Sequence, residues 1–526
     1  MRKTGINLPE YIELYDQAWA RLMGKQHRFA LPEDKGSILT TWTLSFNSLR
    51  LQDENAANLL KLWAFLDNRD LWYELLTPAL NLEIAKKVPR WFVSCAGDKI
   101  DFNECIELLL EYSFIEAKTE SYSFSMHSVL HHWCFQAFEE DDVTMSWLAV
   151  IIVASAVPSE IVLDYPLIQR RLLPHCDRVY PRLQRRIHEG LMNEEDLPSL
   201  SDACHQLGLL YSDQGKMKEA EDMYLRALTG KEKVWGSEHT STLDTVNNLG
   251  TLYNSQGKMK EAEDMYLRAL TGYEKVWSSE HTSTLDTVNN LGTLYNNQGK
   301  MIEAEDMYLR ALTGYEKAWG SEHTSTLDTV NNLGNLYSDQ GKMKEAEDMY
   351  LRALTGKEKV WGSEHTSTLN TVNNLGTLYS DQGKMKEAED MYLRALTGYE
   401  KAWDSEHTST LDTVNNLGNL YKDQGKMIEA ENMYLRALTG KEKAWGSEHT
   451  STLDTVNNLG TLYSKQDKMK EAEDMYLRAL TGYERAWGSE HTSTLDTINN
   501  LGILYKDQGK MKEAENMFQR AKTKKS

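Results

Sequence analysis

Histidine beside glutamate is the first pattern in this chain that could do chemistry, because imidazole and carboxylate groups together are common zinc ligands. Seven such pairs recur at intervals of 42 residues, each in a segment that is otherwise copied as well. Duplication of one unit accounts for the whole series without a metal ion, so we predict no metal site from it. The series consists of His239, His281, His323, His365, His407, His449 and His491.

A phosphate-binding loop is the second chemistry to test. Such a loop needs Gly-x-x-x-x-Gly-Lys-Ser/Thr, whose backbone amides and lysine hold the phosphates. Gly257-Lys258 and its copies are followed by Met, so the hydroxyl group that would hold magnesium is missing. We interpret Gly257 as a helix cap and Lys258 as a solvated side chain. With no Ser/His/Asp or Cys/His arrangement to assemble, we predict that the chain is not an enzyme and holds no cofactor.

The elements that carry these residues are helices of a repeated unit. Apolar residues in Thr242–Trp277 recur at spacings of three and four in two stretches, which predicts two helices. Gly257 follows the first stretch, where a left-handed cap favours glycine, and Ser241 with Asp244 has the spacing of a capping box. Each unit is therefore expected to be a helical hairpin that must stack on its neighbours. The unit is marked by Tyr211, Tyr253, Tyr295, Tyr337, Tyr379, Tyr421, Tyr463 and Tyr505.

The motif of this unit resembles the tetratricopeptide pattern, with Val where Trp is usual. Its 42-residue spacing resembles the long-helix units of kinesin light chains and of fungal NLR-type receptors, although His281-Thr282 stands where those repeats often have His-Pro. The resemblance covers residues 201–526 in eight units. It implies a mainly all-α fold, a right-handed α-solenoid of helical hairpins. The motif reads Val246-x-x-Leu249-Gly250-x-x-Tyr253, then Ala262-x-x-x-Tyr266 and Ala269.

Residues 1–200 show no repeat. Helices are predicted over 37–49, 56–65 and 102–112, and two short alternating runs in 113–126 predict a β-hairpin. Three helices and a hairpin, with Thr-Trp-Thr-Leu-Ser-Phe and Met-His-Ser-Val-Leu-His-His-Trp, resemble the winged helix that follows the nucleotide-binding core in fungal NLR-type (NB-ARC/STAND) receptors. The resemblance implies three segments before the repeats. They are the last helices of a nucleotide-binding core at 1–35, a winged-helix-like domain with a small β-hairpin at 36–140, and a helical connector at 141–200.

The same resemblance gives His127 a candidate role. In that family the histidine of a Met-His-Asp-like motif touches the ADP phosphates, and Met126-His127-Ser128 matches with Ser in place of Asp. Because the P-loop is missing, we expect His127 to be a vestige of a nucleotide site with a structural role. A homo-oligomer formed through the N-terminal region is left open.

The charge and the cysteine content of the chain limit which partners and which compartment we expect. The net charge is −21, and a negative surface repels nucleic acid and anionic membranes. The five cysteines contain no CxxC pair, which favours unpaired thiols in a reducing compartment. The start of the chain lacks the apolar core of a signal peptide, and the run 147–157 is too short to span a bilayer. We therefore expect a cytoplasmic protein that binds neither nucleic acid nor membrane.

The expected ligand is a protein or an extended peptide in the concave groove of the solenoid. A stripe on each first helix lies beside the apolar one, and an asparagine carboxamide there can both donate to and accept from a peptide backbone. The alternative is that one asparagine of each Asn-Asn pair bridges neighbouring hairpins. The predicted groove residues are Asn247, Asn289, Asn331, Asn373, Asn415, Asn457 and Asn499, with Thr251, Thr293, Asn335, Thr377, Asn419 and Thr461.

Differences between the copies leave two interpretations open. The Thr251 position also holds Asn and Ile, and a second-helix position alternates between Lys231 and Tyr273 types. Variation on one stripe indicates a binding face whose specificity can change between copies. The other interpretation is that exposed positions accumulate neutral substitutions. Two functions fit the whole chain: the ligand-recognition part of an NLR-type receptor, or a kinesin-light-chain-like cargo adaptor. The adaptor should carry a heptad coiled coil before its repeats, and residues 1–200 show none, so we favour the receptor.

Overall fold

The computed structural model describes residues 38–80, 88–119, 121–138, 143–158, 165–188, 194–486, 488–489 and 491–522. The predicted remnant of a nucleotide-binding core at 1–35 lies outside these residues. The chain divides into two compact units. The first is Met1–Tyr73 with Lys86–Met145, and the second is Glu74–Ala85 with Ser146–Ser526.

The first unit contains the predicted helices and β-hairpin. Trp63 is fully buried at its centre, with its ring centroid 6.5 Å from those of both Phe102 and Phe124. The two strands are antiparallel, with Ala117 opposite Phe124, and the sequence analysis missed the helix at 90–97. The winged-helix assignment itself stays a prediction. The elements are α1 (Ile38–Gln52), α2 (Glu54–Trp63), α3 (Arg90–Gly97), α4 (Lys99–Glu111), β1 (Glu116–Lys118), β2 (Ser123–Ser125) and α5 (Ser128–Phe138).

Two further helices precede the repeats in the second unit's sequence. They are α6 (Val143–Ser155), which is almost entirely apolar, and α7 (Tyr165–His188), which contains Pro174 and Pro181. Across the described residues, no helix combines the length and apolar character that crossing a membrane requires.

Eight helical hairpins follow, and together with the first unit they make the chain mainly all-α, as predicted. Hairpins 1 to 4 are Leu197–Asp213 with Met217–Trp235, Thr240–Ser255 with Met259–Val276, Thr282–Asn297 with Met301–Trp319, and Thr324–Asp339 with Met343–Trp361. Hairpins 5 to 8 are Thr366–Asp381 with Met385–Ala402, Thr408–Asp423 with Met427–Trp445, Thr450–Lys465 with Met469–Ala486, and Thr492–Asp507 with Met511–Lys522.

Each hairpin is fixed by its cap and by its contact with the next hairpin. Gly257 adopts φ 73° just after the first helix, which is the left-handed cap expected from the sequence. Tyr266 on the second helix is buried against Leu291 and Leu294 of the following first helix. The apolar face that one hairpin leaves open is thus covered by its neighbour, and this explains why the units stack.

The first helices form the inner layer of the stack. First helices of consecutive hairpins pack directly on one another, whereas consecutive second helices pack less closely. The stripe that carries the asparagines lies on these first helices, and its place in a concave groove stays a prediction.

Candidate ligand-binding surface

A histidine starts seven of the eight first helices and sets their position. His281 is the N-cap of its helix, where Nδ1 accepts a hydrogen bond from the Ser283 N–H at 3.3 Å. The capping box predicted from Ser241 and Asp244 is therefore wrong, because His239 occupies the cap in that hairpin. Histidine is not among the residues that usually cap helices. The sequence pattern therefore favoured Ser241 as the cap instead of His239. The repeated histidines have a structural task, and no cluster of metal-ligating residues exists among the described residues.

The asparagine pairs form a ladder between consecutive first helices. Asn332 Nδ2 donates to Asn289 Oδ1 at 3.3 Å, and the same bond recurs 42 residues later between Asn374 and Asn331 at 3.5 Å. In each pair the first asparagine accepts and the second donates, so both are used in bridging. The remaining rungs are Asn290 to Asn247, Asn416 to Asn373, and Asn458 to Asn415, at 3.4–3.5 Å.

The ladder leaves one donor of each accepting asparagine unused. Its Oδ1 is occupied by the next hairpin, and this hydrogen bond fixes which way the amide group points. Within the described residues, the Nδ2 groups of the accepting asparagines donate no hydrogen bond, although the Asn331 and Asn415 residues are each only 7% exposed. These Nδ2 groups form a row of oriented donors along the first helices. It belongs to Asn247, Asn289, Asn331, Asn373, Asn415 and Asn457, while Asn499 occupies the same position in the last hairpin.

Hairpin 1 places a histidine at the equivalent position. His205 is buried, its Nδ1 lies 2.9 Å from Thr245 Oγ1, and its Nε2 lies 3.5 Å from Asn248 Nδ2. Burial lowers the pKa of this imidazole to about 3. His205 thus continues the ladder as a neutral acceptor.

The Thr251 position has a role inside hairpins 2 to 7. Thr251 Oγ1 accepts a hydrogen bond at 3.1 Å from the hydroxyl group of Tyr266, which is buried in the packed second helix. Where Asn replaces Thr, its Oδ1 does the same, as Asn335 does for Tyr350 at 2.7 Å. Further members of this series are Thr293, Thr377, Asn419 and Thr461, which accept from Tyr308, Tyr392, Tyr434 and Tyr476 at 2.7–3.1 Å.

In the last hairpin this position changes together with its partner, whereas hairpin 1 keeps the buried Tyr224 with Leu209 at this position. Ile503 replaces the acceptor there, and Phe518 replaces the tyrosine, so both polar partners disappear together. An unpaired buried hydroxyl costs free energy, which gives a physical reason for the paired change. Variation here reflects packing inside the hairpin, and the side chains also reach the concave face.

The alternation between lysine and tyrosine is likewise buried. Lys357 is 2% exposed and its Nζ lies 2.6 Å from Asp328. Tyr273 is also 2% exposed and donates a hydrogen bond to Asp244, the equivalent carboxylate of its own hairpin. Sequence comparison missed this pairing because the partners lie 29 residues apart. The other pairs are Lys231–Asp202, Lys441–Asp412, Tyr315–Asp286, Tyr399–Asn370 and Tyr483–Asp454.

These carboxylates give the concave face its acidic character. Asp328 is about half exposed, and Asp244 and Asp286 also reach solvent. Partial burial in the curved stack raises the pKa of both Asp244 and Asp286. Burial likewise raises the pKa of Asp381 at the end of a first helix, and nearby Asp339 and Asp423 raise it further.

His127 lies in the first compact unit and caps a helix. The side chain is exposed, and its Nδ1 accepts from the Val129 N–H at 3.3 Å at the start of α5. Nearby His131 is buried, with Nε2 at 2.8 Å from the Leu66 carbonyl oxygen. A nucleotide-proximal role for His127 stays a prediction.

The chain is similar to several known proteins. The tetratricopeptide repeat family profile matches residues 201–275, 283–359, 367–443, 408–485 and 450–523, more than half of the chain. A nucleotide-binding leucine-rich repeat (NLR)-like protein of Hyaloscypha variabilis is 29% identical over 260 residues, which is 46% of this chain. The chain spans 23% of the length of that relative.

Two solved structures are also similar. The Rap protein complexed with competence and sporulation factor has a TM-score of 0.52 at 13% identity, covering 72% of this chain and 97% of that one. This supports the helical-hairpin fold alone. A signal transduction ATPase (STAND) protein with a tetratricopeptide repeat sensor from Pyrococcus horikoshii has a TM-score of 0.41 at 12% identity, covering 99% of this chain and 70% of that one.

Proposed function

The chain belongs to the tetratricopeptide repeat family, and we propose that it recognises a protein or an extended peptide along the concave row of first helices. Repeats of this kind build extended concave binding surfaces, so protein–protein interaction is the function of the array. We propose further that the array is the ligand-recognition part of an NLR-type receptor.

One observation supports the proposed ligand class most directly. The unused Nδ2 donors form a regular row, and each is held in one orientation by the ladder bond on its own Oδ1. Backbone carbonyl groups of an extended chain recur regularly and do not depend on its side chains. A row of preoriented donors therefore suits a peptide backbone, since ordering it costs little on binding.

Charge supports a basic partner. Asp244 and Asp286 stand beside the donor row and accept hydrogen bonds from tyrosine hydroxyl groups. Lys231 lowers the pKa of Asp244, but no lysine acts on the pKa of Asp286. A ligand with lysine or arginine side chains would complement this face and would be attracted to it at low ionic strength.

The receptor assignment draws on the similarity to the NLR-like protein and on the helices and hairpin of the first compact unit. A cargo adaptor is the alternative, favoured by the 42-residue repeat that resembles kinesin light chains. A partner that is a soluble motor or its cargo would support the adaptor, whereas a partner of foreign origin would support the receptor.

The donor row can be tested with a matched pair of triple variants. Peptides selected from a displayed random library for binding to the parent serve as probes. Replacing Asn331, Asn373 and Asn415 by Ala removes three concave donors and breaks three ladder bonds. At about 0.5–1.5 kcal/mol for each lost uncharged hydrogen bond, affinity should fall about tenfold or more.

The control triple replaces Asn332, Asn374 and Asn416 by Ala. It breaks three ladder bonds as well, but it leaves the concave donors of Asn331, Asn373 and Asn415 in place. Fluorescence anisotropy measures peptide affinity, and circular dichroism measures the melting temperature of all three proteins. Equal losses of affinity in the two triples would show that the asparagines act only as bridges.

A further inference from the structure

Hairpins five apart along the chain are joined edge to edge. His407, at the start of hairpin 6, has its Nε2 2.8 Å from the carbonyl oxygen of Asp213, at the end of the first helix of hairpin 1. Its Nδ1 accepts from the Ser409 N–H, so the proton must be on Nε2, which donates. The contact repeats at the same separation of 194 residues between His449 and Ser255, and between His491 and Asn297 at 3.2 Å.

The same edges also make close apolar contact. The Thr408 methyl carbon lies only 3.0 Å from where a Cβ atom would stand on Gly215, and Thr450 lies equally close to Gly257. Trp403, which stacks on His407, is only 5% exposed, and Tyr165 of α7 also packs against its ring. One edge of the superhelix thus offers a Trp–His–Thr cluster, and the edge of the next turn offers a glycine turn with a free carbonyl group. We call them the histidine edge and the glycine edge.

Both edges recur in hairpins where nothing covers them. On the histidine edge of hairpins 3 and 4, Trp277 is 42% exposed and Trp319 is 43% exposed. The Nε2 atoms of His239, His281 and His323 make no hydrogen bond within the described part of the chain. On the glycine edge, no described atom lies within 4 Å of a Cβ atom built on Gly341, Gly383, Gly425 or Gly509; Gly299 is equally open, although the neighbouring Asn297 is joined to His491.

We propose that a second copy of this chain docks through these edges, with the histidine edge of hairpins 2–4 of one copy on the glycine edge of hairpins 4–6 of the other. The intramolecular contact between turns supplies the template, because the exposed edges have nearly the same sequence as the joined ones. Half-exposed tryptophans that can be covered are typical anchors of protein interfaces. The contact uses a different surface from the concave donor row and is independent of ligand binding.

Such docking joins two unlike surfaces, so each added copy presents a new free edge. Heterologous contacts of this kind produce rings or open chains, and not two-fold symmetric dimers. The net charge of −21 opposes association between copies, and salt screens that repulsion. Average mass should therefore rise with protein concentration and with moderate salt.

Two variants separate the edges. The histidine-edge variant carries Thr240→Glu, Thr282→Glu and Thr324→Glu; these residues start first helices, where a glutamate is favourable for the helix but meets the negative end of the opposing helix. The glycine-edge variant carries Gly341→Asp, Gly383→Asp and Gly425→Asp. Hairpin 7 already has Asp467 in this turn with φ 63°, so the change copies a conformation that this chain tolerates.

Sedimentation velocity of the full chain and of both variants, alone and mixed, gives the test, with circular dichroism to confirm that each is folded. The parent should form concentration-dependent oligomers, and each variant alone should remain a monomer. The equimolar mixture should form dimers and nothing larger, because only one intact pair of edges remains. A parent that stays monomeric to its solubility limit, variants that still associate, or a mixture that fails to dimerise would each overturn the proposal.

Discussion

Lys357 is a buried lysine whose charge is balanced by one carboxylate, that of Asp328. Its Nζ lies 2.6 Å from Asp328 and 3.3 Å from the Ser367 carbonyl oxygen. All three buried lysines of the repeats face an aspartate, whereas the one asparagine at that position, Asn370, faces Tyr399. A hydroxyl group can donate to either acceptor, but an ammonium group removed from water needs a negative partner.

A double-mutant cycle tests this dependence. Asp328→Asn in the parent should lower the free energy of unfolding by about 1.5–3 kcal/mol, the range for hydrogen bonds to charged groups. In a Lys357→Tyr background the same change should cost less than about 0.5 kcal/mol, because it recreates the Tyr399–Asn370 pair. Urea denaturation of the four proteins gives the coupling energy. Equal costs in both backgrounds would contradict the pairing rule.

His205 makes stability depend on pH. Its pKa is lowered by burial to about 3 from an ordinary value of 6.5. Between these pH values the imidazole is protonated in the unfolded chain but not in the folded chain. Stability is then complete above the unfolded pKa and falls as pH drops from 6.5 toward 3, by about 1.4 kcal/mol per pH unit. His205→Asn places the residue found in the other hairpins and should flatten that slope. Parallel urea titrations of parent and variant between these pH values measure it, and identical slopes would show that His205 is protonated without unfolding.

Within a hairpin, the two helices approach each other at a glycine. A Cβ atom on Gly334 would lie 2.7 Å from the ring of Tyr350, although Gly334 lies inside a helix where alanine is ordinarily favoured by about 1 kcal/mol. We expect Gly334→Ala to destabilise the chain by about 1–3 kcal/mol through overpacking. Thermal unfolding shows whether Gly334→Ala raises or lowers the melting temperature. Adding Tyr350→Leu should partly restore the stability of the alanine variant. A stabilised Gly334→Ala protein would mean that the helices can separate at no cost.

Local patterns predicted the hairpins well because their signals lie within one unit. Val246, Leu249 and Tyr253 share one helical face, and Gly257 ends that helix as expected. The Lys357–Asp328 pair was not predicted, since its partners lie 29 residues apart. Bridging by the asparagine pairs was one of two alternatives, and the sequence did not decide between them. Spacing within a helix fixes which residues share a face, but it does not fix which residue of a neighbouring helix lies opposite. The groove assignment of Asn331 and its equivalents stays a prediction for the same reason.

At the scale of the array, the superhelix touches itself once it is long enough. Hairpins 6, 7 and 8 reach back to hairpins 1, 2 and 3, and α7 extends the contact, with Tyr165 hydroxyl 2.9 Å from Thr366 Oγ1. An ordinary solenoid has only nearest-neighbour contacts. This one gains contacts between turns, which hold its pitch and limit how far the concave face can open.

The final prediction separates the contacts between turns from helix capping. Replacing His407, His449 and His491 by Asn keeps an efficient N-cap but removes the Nε2 donors that reach the previous turn. The superhelix should lengthen, so small-angle scattering at low concentration should give a larger radius of gyration with unchanged helical content. The matched control replaces His239, His281 and His323 by Asn; these residues cap their helices identically and reach no other turn. Capping changes equally in both triple variants. A larger radius of gyration in the His407, His449 and His491 variant alone would therefore show that the three histidine–carbonyl hydrogen bonds set the pitch of the superhelix. An equal radius of gyration in both variants would show that hairpin stacking alone sets the pitch.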